Sequence, residues 1–280
     1  MKSKRNYYLL TGISFGFAFL YIPIVLLIIF SFNEAKTTTT WSSFSFRWYQ
    51  ALFENHAIID AALISFRIAV VTATVATIVG TLAGIALVRL GKFKGKTFFS
   101  GLMIAPMVMP EVITGLSLLL FFVAMEELAG WPSGRGMTTI ALGHITFCIT
   151  FVAVIIQSRL HGMDESLEEA AMDLGGRPAR VLFNITFPLI SPAMLSGWLL
   201  SFTLSLDDVI LASFLAGPGS TTLPLVIFSK VKLGISPDIN ALATIIIGIV
   251  AVGVLIMGWL MSKKEKAYQR DIQMAVAANE

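Results

Sequence analysis

The chain has 280 residues, of which 56% are hydrophobic and 13% charged, with a mean hydropathy of +0.82. That balance lies far outside the range of a soluble domain and reads as an all-α membrane protein in contact with lipid. The net charge of +3 is scattered over loops, which argues against nucleic-acid binding, and a single cysteine, Cys148, builds neither a disulfide framework nor a thiolate cluster.

Hydrophobic runs long enough for about 20 helical residues fall near 9–32, 62–88, 98–124, 138–158, 189–214 and 239–262. The sequence therefore predicts six transmembrane helices in one membrane domain, residues 1–280. The first run follows Lys2, Lys4 and Arg5, is too long for a secretory signal and lacks a small-residue cleavage site, so it reads as a retained anchor. Alternate loops carry 14 Lys and Arg on the side of both termini and five on the other. The positive-inside rule then puts both termini in the cytoplasm.

Between the first two spans, residues 33–60 hold Trp41, Phe46, Trp48 and Tyr49, an aromatic density suited to a membrane interface. Two readings fit, a docking surface for an external partner and a short helix in the headgroup region. Gly80 and Gly84 in the second span, like Gly12 and Gly16 in the first, have the small-xxx-small spacing that lets helices approach closely. The loop from Gly91 to Thr97 ends in Gly95-Lys96-Thr97, but three residues separate its glycines where a phosphate-binding loop needs four, and no strand precedes it. No nucleotide site is expected in this chain.

The third span contains Pro106 and Pro110, both expected to break the helix, and Glu111 follows about 20 Å from the span's start. An acid at that depth costs on the order of 3 kcal/mol. It fits either a helix–helix hydrogen bond or a pathway-lining carboxylate. The fifth span starts at Pro188, a third expected break, and reaches Asp207 and Asp208 after about 28 Å, with an interruption expected between Leu206 and Val209. Adjacent aspartates point about 100° apart on a helix, so one of the pair fits a solvated rim position as well as the pathway. No Lys or Arg lies in the middle of a span, so the interior charge is negative and suits a cationic solute. Trp198, Phe202 and Phe121 offer faces for cation–π contact, although core packing accounts for such residues too. His56, His144 and His161 are dispersed with no ligand spacing, so no metal site is expected.

The loop 159–188 stands apart. Ser166 with Glu169 has the form of a capping box, Leu167, Ala170, Ala171 and Leu174 share one helical face, Gly175-Gly176 provides a left-handed stop, and Pro178 opens a second helix. Glu169-Ala170-Ala171, three residues, Gly175, nine residues, Ile185, one residue, then Phe187-Pro188 resembles the signature loop of bacterial ABC importer permeases, with Phe187 where that family usually has Leu. The resemblance implies a type I ABC importer permease fold. Its coupling helix carries Leu167, Glu169, Ala170, Ala171, Leu174 and Gly175 and docks on a cytoplasmic ATPase.

A narrower resemblance, to permeases of polyamine importers and especially the putrescine type, is carried by Ser31-Phe32-Asn33, Phe46-Arg47-Trp48-Tyr49, Met109 to Gly115, Ser205-Leu206-Asp207-Asp208 and Ile239 to Thr244. It implies a multi-pass subunit of the bacterial inner membrane that performs no chemistry on its cargo. It would work with a second related permease, an ABC ATPase acting as a dimer, and a periplasmic polyamine-binding protein. ATP and Mg²⁺ would be used by the ATPase, with no cofactor on this chain. The expected pathway residues are Glu111, Asp207, Asp208, Trp198 and Phe202. A proton-coupled secondary transporter of a cationic solute also uses intramembrane acids, but it needs no docking loop and usually shows internal repeats. An intramembrane aspartyl protease needs two facing acids, and Asp207 and Asp208 are neighbours on one helix.

Overall fold

In the computed structural model, residues 7–36, 40–233 and 237–252, with 255 and 259, are described. The helices are α1 (Tyr7–Phe30), α2 (Arg47–Glu54), α3 (His56–Arg89), α4 (Lys96–Val108), α5 (Glu111–Ala129), α6 (Met137–His161), α7 (Ser166–Asp173), α8 (Pro178–Val181), α9 (Phe187–Asp207), α10 (Ile210–Leu215), α11 (Leu223–Leu233) and α12 (Pro237–Val252). Among the described residues there is no strand, only an isolated bridge between Asn33 and Phe44.

Among the described residues, five helical stretches are long and apolar enough to cross a membrane: Leu10–Phe30, His56–Arg89, Glu111–Ala129, Met137–His161 and Pro178–Asp207. The expected third span, 98–124, is two helices, α4 and α5. The expected fifth span, 189–214, is divided between α9 and α10. Most of the expected sixth span beyond Val252, like Lys2, Lys4, Arg5 and the C-terminal tail, lies outside the described residues.

Two of the three expected helix breaks are not breaks. Pro106 lies inside α4, where its missing N–H costs one bond in the last turns without ending the helix. The chain leaves helical geometry at Met109 (φ −75°, ψ 138°), as the ring of Pro110 disfavours the helical conformation in the residue before it. Pro188 sits within a continuous apolar helix that starts at Pro178. The turn before it, Leu182–Thr186, is π-helical, and the Phe187 N–H reaches back five residues to the Leu182 carbonyl, so the helix widens to admit the proline. Pro192 follows in the same helix, and the Ser191 hydroxyl donates to the Pro188 carbonyl that Pro192 leaves without an N–H, at 2.8 Å.

The contacts group the chain into two units, residues 1–56 with 230–280, and residues 57–229. In the first, α1 is exposed from Leu10 to Leu26, an apolar surface that suits hydrocarbon. The stretch after it is tightly tied. Buried Asn33 donates to the Thr40 carbonyl at 2.7 Å and accepts from the Ser42 N–H at 2.9 Å, while the Trp48 indole donates to the Asn33 carbonyl at 2.8 Å. The Phe32 ring stacks on Phe44 at 5.3 Å and meets Phe46 edge-on at 5.5 Å. Short helix α2 follows, and Trp41, Phe46 and Phe53 remain exposed.

In the second unit α6 is the central post. Cys148, Val152, Ile156 and Leu160 recur every four residues on one face and bury against Ala76 of α3 and Ile190 of α9. Small residues make the approach close. A Cβ built on Gly80 would lie 2.7 Å from Val152 Cβ and 2.9 Å from the Ile149 carbonyl oxygen, and Gly84 faces Ile156 in the same way. At the other end of α6, the Thr139 hydroxyl lies 2.8 Å from the Leu215 carbonyl and ties α6 to α10. Gly80→Ala should therefore overpack this seam at a cost of about 1–3 kcal/mol, seen as a lower thermal unfolding midpoint in detergent. Gly12→Ala, whose added methyl meets nothing within 4 Å, should leave the midpoint unchanged. Equal midpoints for Gly80→Ala and the parent would contradict this packing.

Candidate functional site

Two helix interruptions bring the acids together. Met109 and Pro110 are extended, and Glu111 opens α5, so its carboxylate sits in the first turn at the favourable end of the helix dipole. Asp208 is also extended (φ −66°, ψ 127°), ending α9, and after Val209 the chain resumes as α10. The two interruptions meet because α10 lies on α5. Gly115, one turn after Glu111, has no side chain where the Phe214 ring packs, and a Cβ there would come within 2.7 Å of it. A pocket of about 330 Å³ results, lined by Glu111, Phe147, Leu204, Asp207, Asp208, Val209 and Ile210. All three acids expected from the sequence thus line one cavity. Asp208 is the more enclosed of the adjacent pair, its side chain 9% exposed, and its Oδ1 accepts the Ala212 N–H at 2.9 Å.

The aromatic residues are not part of it. Trp198 and Phe202 lie on α9, with Trp198 about 13 Å below Asp207 along the helix at 1.5 Å per residue. They stack on one another at 5.3 Å and 8°, Phe66 meets Phe202 edge-on, and the Trp198 indole donates to the Thr74 hydroxyl at 3.2 Å. Neither Trp198 nor Phe202 lines the acid pocket. Phe121 likewise pairs with Phe122.

The hairpin between α6 and α9 has the expected form with a different cap. Ser166 is the first helical residue, and the Asp164 carboxylate, not the Ser166 side chain, receives the capping bond, from the Ser166 N–H at 3.0 Å. That bond holds the Asp164 carboxyl below its ordinary range. At the other end, Gly175 takes the left-handed conformation (φ +86°), its N–H donates to the Met172 carbonyl, and the Gly176 N–H donates to Ala171. These are the two bonds of a Schellman stop. Pro178 then opens α8. Leu167, Ala170 and Leu174 are exposed, Leu174 to 91%, and Ala171, Leu174 and Gly175 border a pocket of about 270 Å³ with Val181 and Ile185.

Several residues here carry no signal in the local sequence pattern. Arg89, at the end of α3, pairs with Glu165 and, through Nε at 3.0 Å, with Glu168, which also accepts from the Thr186 hydroxyl at 2.7 Å. Glu169, by contrast, is exposed and lines a neighbouring pocket of about 470 Å³. Arg89 and Glu165 are 76 positions apart, so only the fold reveals the pair.

A family model described as binding-protein-dependent transport system inner membrane component matches residues 76–268. The chain belongs to that family. It is 54% identical to the putrescine transport system permease protein PotI of Escherichia coli (strain K12), over 86% of each chain. It is also 45% identical to the spermidine/putrescine transport system permease protein PotC of Haemophilus influenzae, over 80% of this chain and 84% of that one. Among solved structures, a bacterial alginate ABC transporter in complex with an alginate pentasaccharide-bound periplasmic protein matches with a TM-score of 0.70. That match has 16% identity and covers 90% of this chain and 91% of that chain. The shared fold is that of type I ABC importer permeases, all-α with five to six apolar helices.

Arg89 links α3 to the hairpin through two carboxylates, so Arg89→Met should loosen it. Amide exchange across 165–174 should quicken about tenfold, the effect of losing one charged hydrogen bond, while the α6 core keeps its protection. Unchanged exchange in 165–174 would show that other contacts hold the hairpin.

Proposed function

We propose that this chain is a permease subunit of an ATP-driven polyamine importer whose cargo is putrescine, and that it forms half of the translocation pathway. A second related permease supplies the other half, a dimeric ABC ATPase drives the cycle from the cytoplasm, and a periplasmic polyamine-binding protein delivers the cargo. ATP and Mg²⁺ belong to the ATPase. The subunit carries no chemistry on the diamine.

The observation that carries this reading is the pocket between the two helix interruptions, where, among the described residues, three carboxylates and no cation line the wall. Carboxylates replace the hydration of an ammonium group, and a diamine brings two such groups about one short alkyl chain apart. The site must also let go, so a few carboxylates serve better than a full cage. The likeness to permeases named for putrescine and for spermidine/putrescine supports the same cargo class.

The charge asymmetry of the loops supports an orientation with both termini in the cytoplasm. The hairpin from Ser166 to Pro188 then faces the ATPase, and the exposed Leu167, Ala170 and Leu174 are the surface it grips. Family membership removes the ground for a proton-coupled secondary transporter, because a chain of a binding-protein-dependent system works with separate partners.

In the importer reconstituted with its partners, Glu111→Gln and Asp207→Asn should each lower putrescine uptake at least about tenfold, the value of one hydrogen bond to a charged group. Binding-protein-stimulated ATP hydrolysis should persist. Intact uptake in both variants would overturn the carboxylate pathway.

A further inference from the structure

His144 has no part in the reading so far. It lies on α6, 2% exposed, and does not line the acid pocket. A buried histidine is ordinarily one more satisfied core residue, yet both of its ring nitrogens face the end of α9. Nδ1 is 2.8 Å from the Ser205 hydroxyl, and Nε2 is 3.3 Å from Asp208 Oδ1. The Nδ1–Ser205 contact is a hydrogen bond that seats the ring, while Nε2 forms no hydrogen bond of its own and lies buried against the Asp208 carboxylate.

Asp208 is therefore flanked on two sides, by the Ala212 N–H that donates to it and by the buried imidazole, whose Nε2 lies against the same oxygen. Neither contact reaches Asp207, which is exposed. Of the three acids that line the pocket, one is tied into the helix frame, while Asp207 is exposed and Glu111 half-buried. Resting on the importer reading above, we infer that His144 is a positioning residue of the cargo site: seated by Ser205, it fixes Asp208 as a wall of the pocket and leaves Glu111 and Asp207 to take the two ammonium groups. The physical reason is release. A third mobile carboxylate adds a ligand for which a diamine has no ammonium group to spare, and a site that holds its cargo too tightly does not conduct.

The test uses the complete importer in proteoliposomes with putrescine-loaded binding protein, and reads putrescine taken up per ATP hydrolysed. A merely structural lesion lowers both rates together and leaves that ratio alone. His144→Val removes both contacts and should lower the ratio about tenfold. His144→Gln, whose amide offers one donor and one acceptor, should recover most of the loss. His144→Val combined with Asp208→Asn should fall no further than the worse single variant, because the two residues act as a unit. An unchanged ratio in His144→Val, or losses that multiply in the double variant, would overturn the inference. If the valine complex fails to assemble, Ser205→Ala removes only the Nδ1 partner. It should lower the ratio in the same direction, and no change would again overturn the inference. Failure of the underlying reading shows separately, as intact uptake in both Glu111→Gln and Asp207→Asn, which alter neither His144 nor Asp208.

Discussion

A helix that stops inside hydrocarbon leaves N–H and carbonyl groups with no water to bond, so each interruption has to be repaired or put to use. This chain interrupts its apolar helices at Met109–Pro110 and at Asp208–Val209, and the acids are concentrated there. Glu111 gains the dipole of α5, and Asp208 supplies an acceptor to the backbone of α10. The same polar ends that are costly in lipid are what make charged side chains tolerable there. Elsewhere the chain avoids interruption even where prolines invite it, by the π-helical turn before Pro188 and the Ser191 hydroxyl after it.

Central post α6 connects these features. Its small-residue seam with α3 and its contact with Ile190 fix one end, the Thr139 hydroxyl fixes the other, and His144 lies between. The pocket thus has one wall on a continuous helix, through Phe147 of α6, and two at helix interruptions. The hairpin is joined to the same frame through Arg89 of α3, and Glu168 also contacts Thr186, the residue before α9.

Much of this was legible in the sequence because it is written locally. Hydrophobic runs located the apolar helices, Gly175-Gly176-Arg177-Pro178 spelled the stop and restart of the hairpin, and Glu111 with Asp207-Asp208 stood out as acids in apolar surroundings. What was missed depends on distance along the chain or on competition between equivalent groups. Three prolines look alike in sequence, yet only Pro110 ends a helix, because the other two lie where a lost bond is absorbed. Asp164 took the capping role expected of Ser166 because it lies one position before the N-cap, in reach of the first N–H. His144 with Ser205, 61 positions apart, and Arg89 with Glu165 and Glu168 have no periodic signal at all. Trp198 and Phe202 were singled out from their chemistry alone; their four-residue spacing lets them stack on each other, and neither lines the acid pocket.

The central claim is that the diamine passes between the two interrupted helices, against the carboxylates of this chain. It is tested most directly by a structure of the intact importer, trapped with an ATP analogue in the presence of putrescine. The account predicts cargo density in the pocket of Glu111 and Asp207, with an amine nitrogen about 2.7–3.2 Å from a carboxylate oxygen. Cargo density in the permeases that lies elsewhere, with Glu111 and Asp207 facing away from it, would contradict the account.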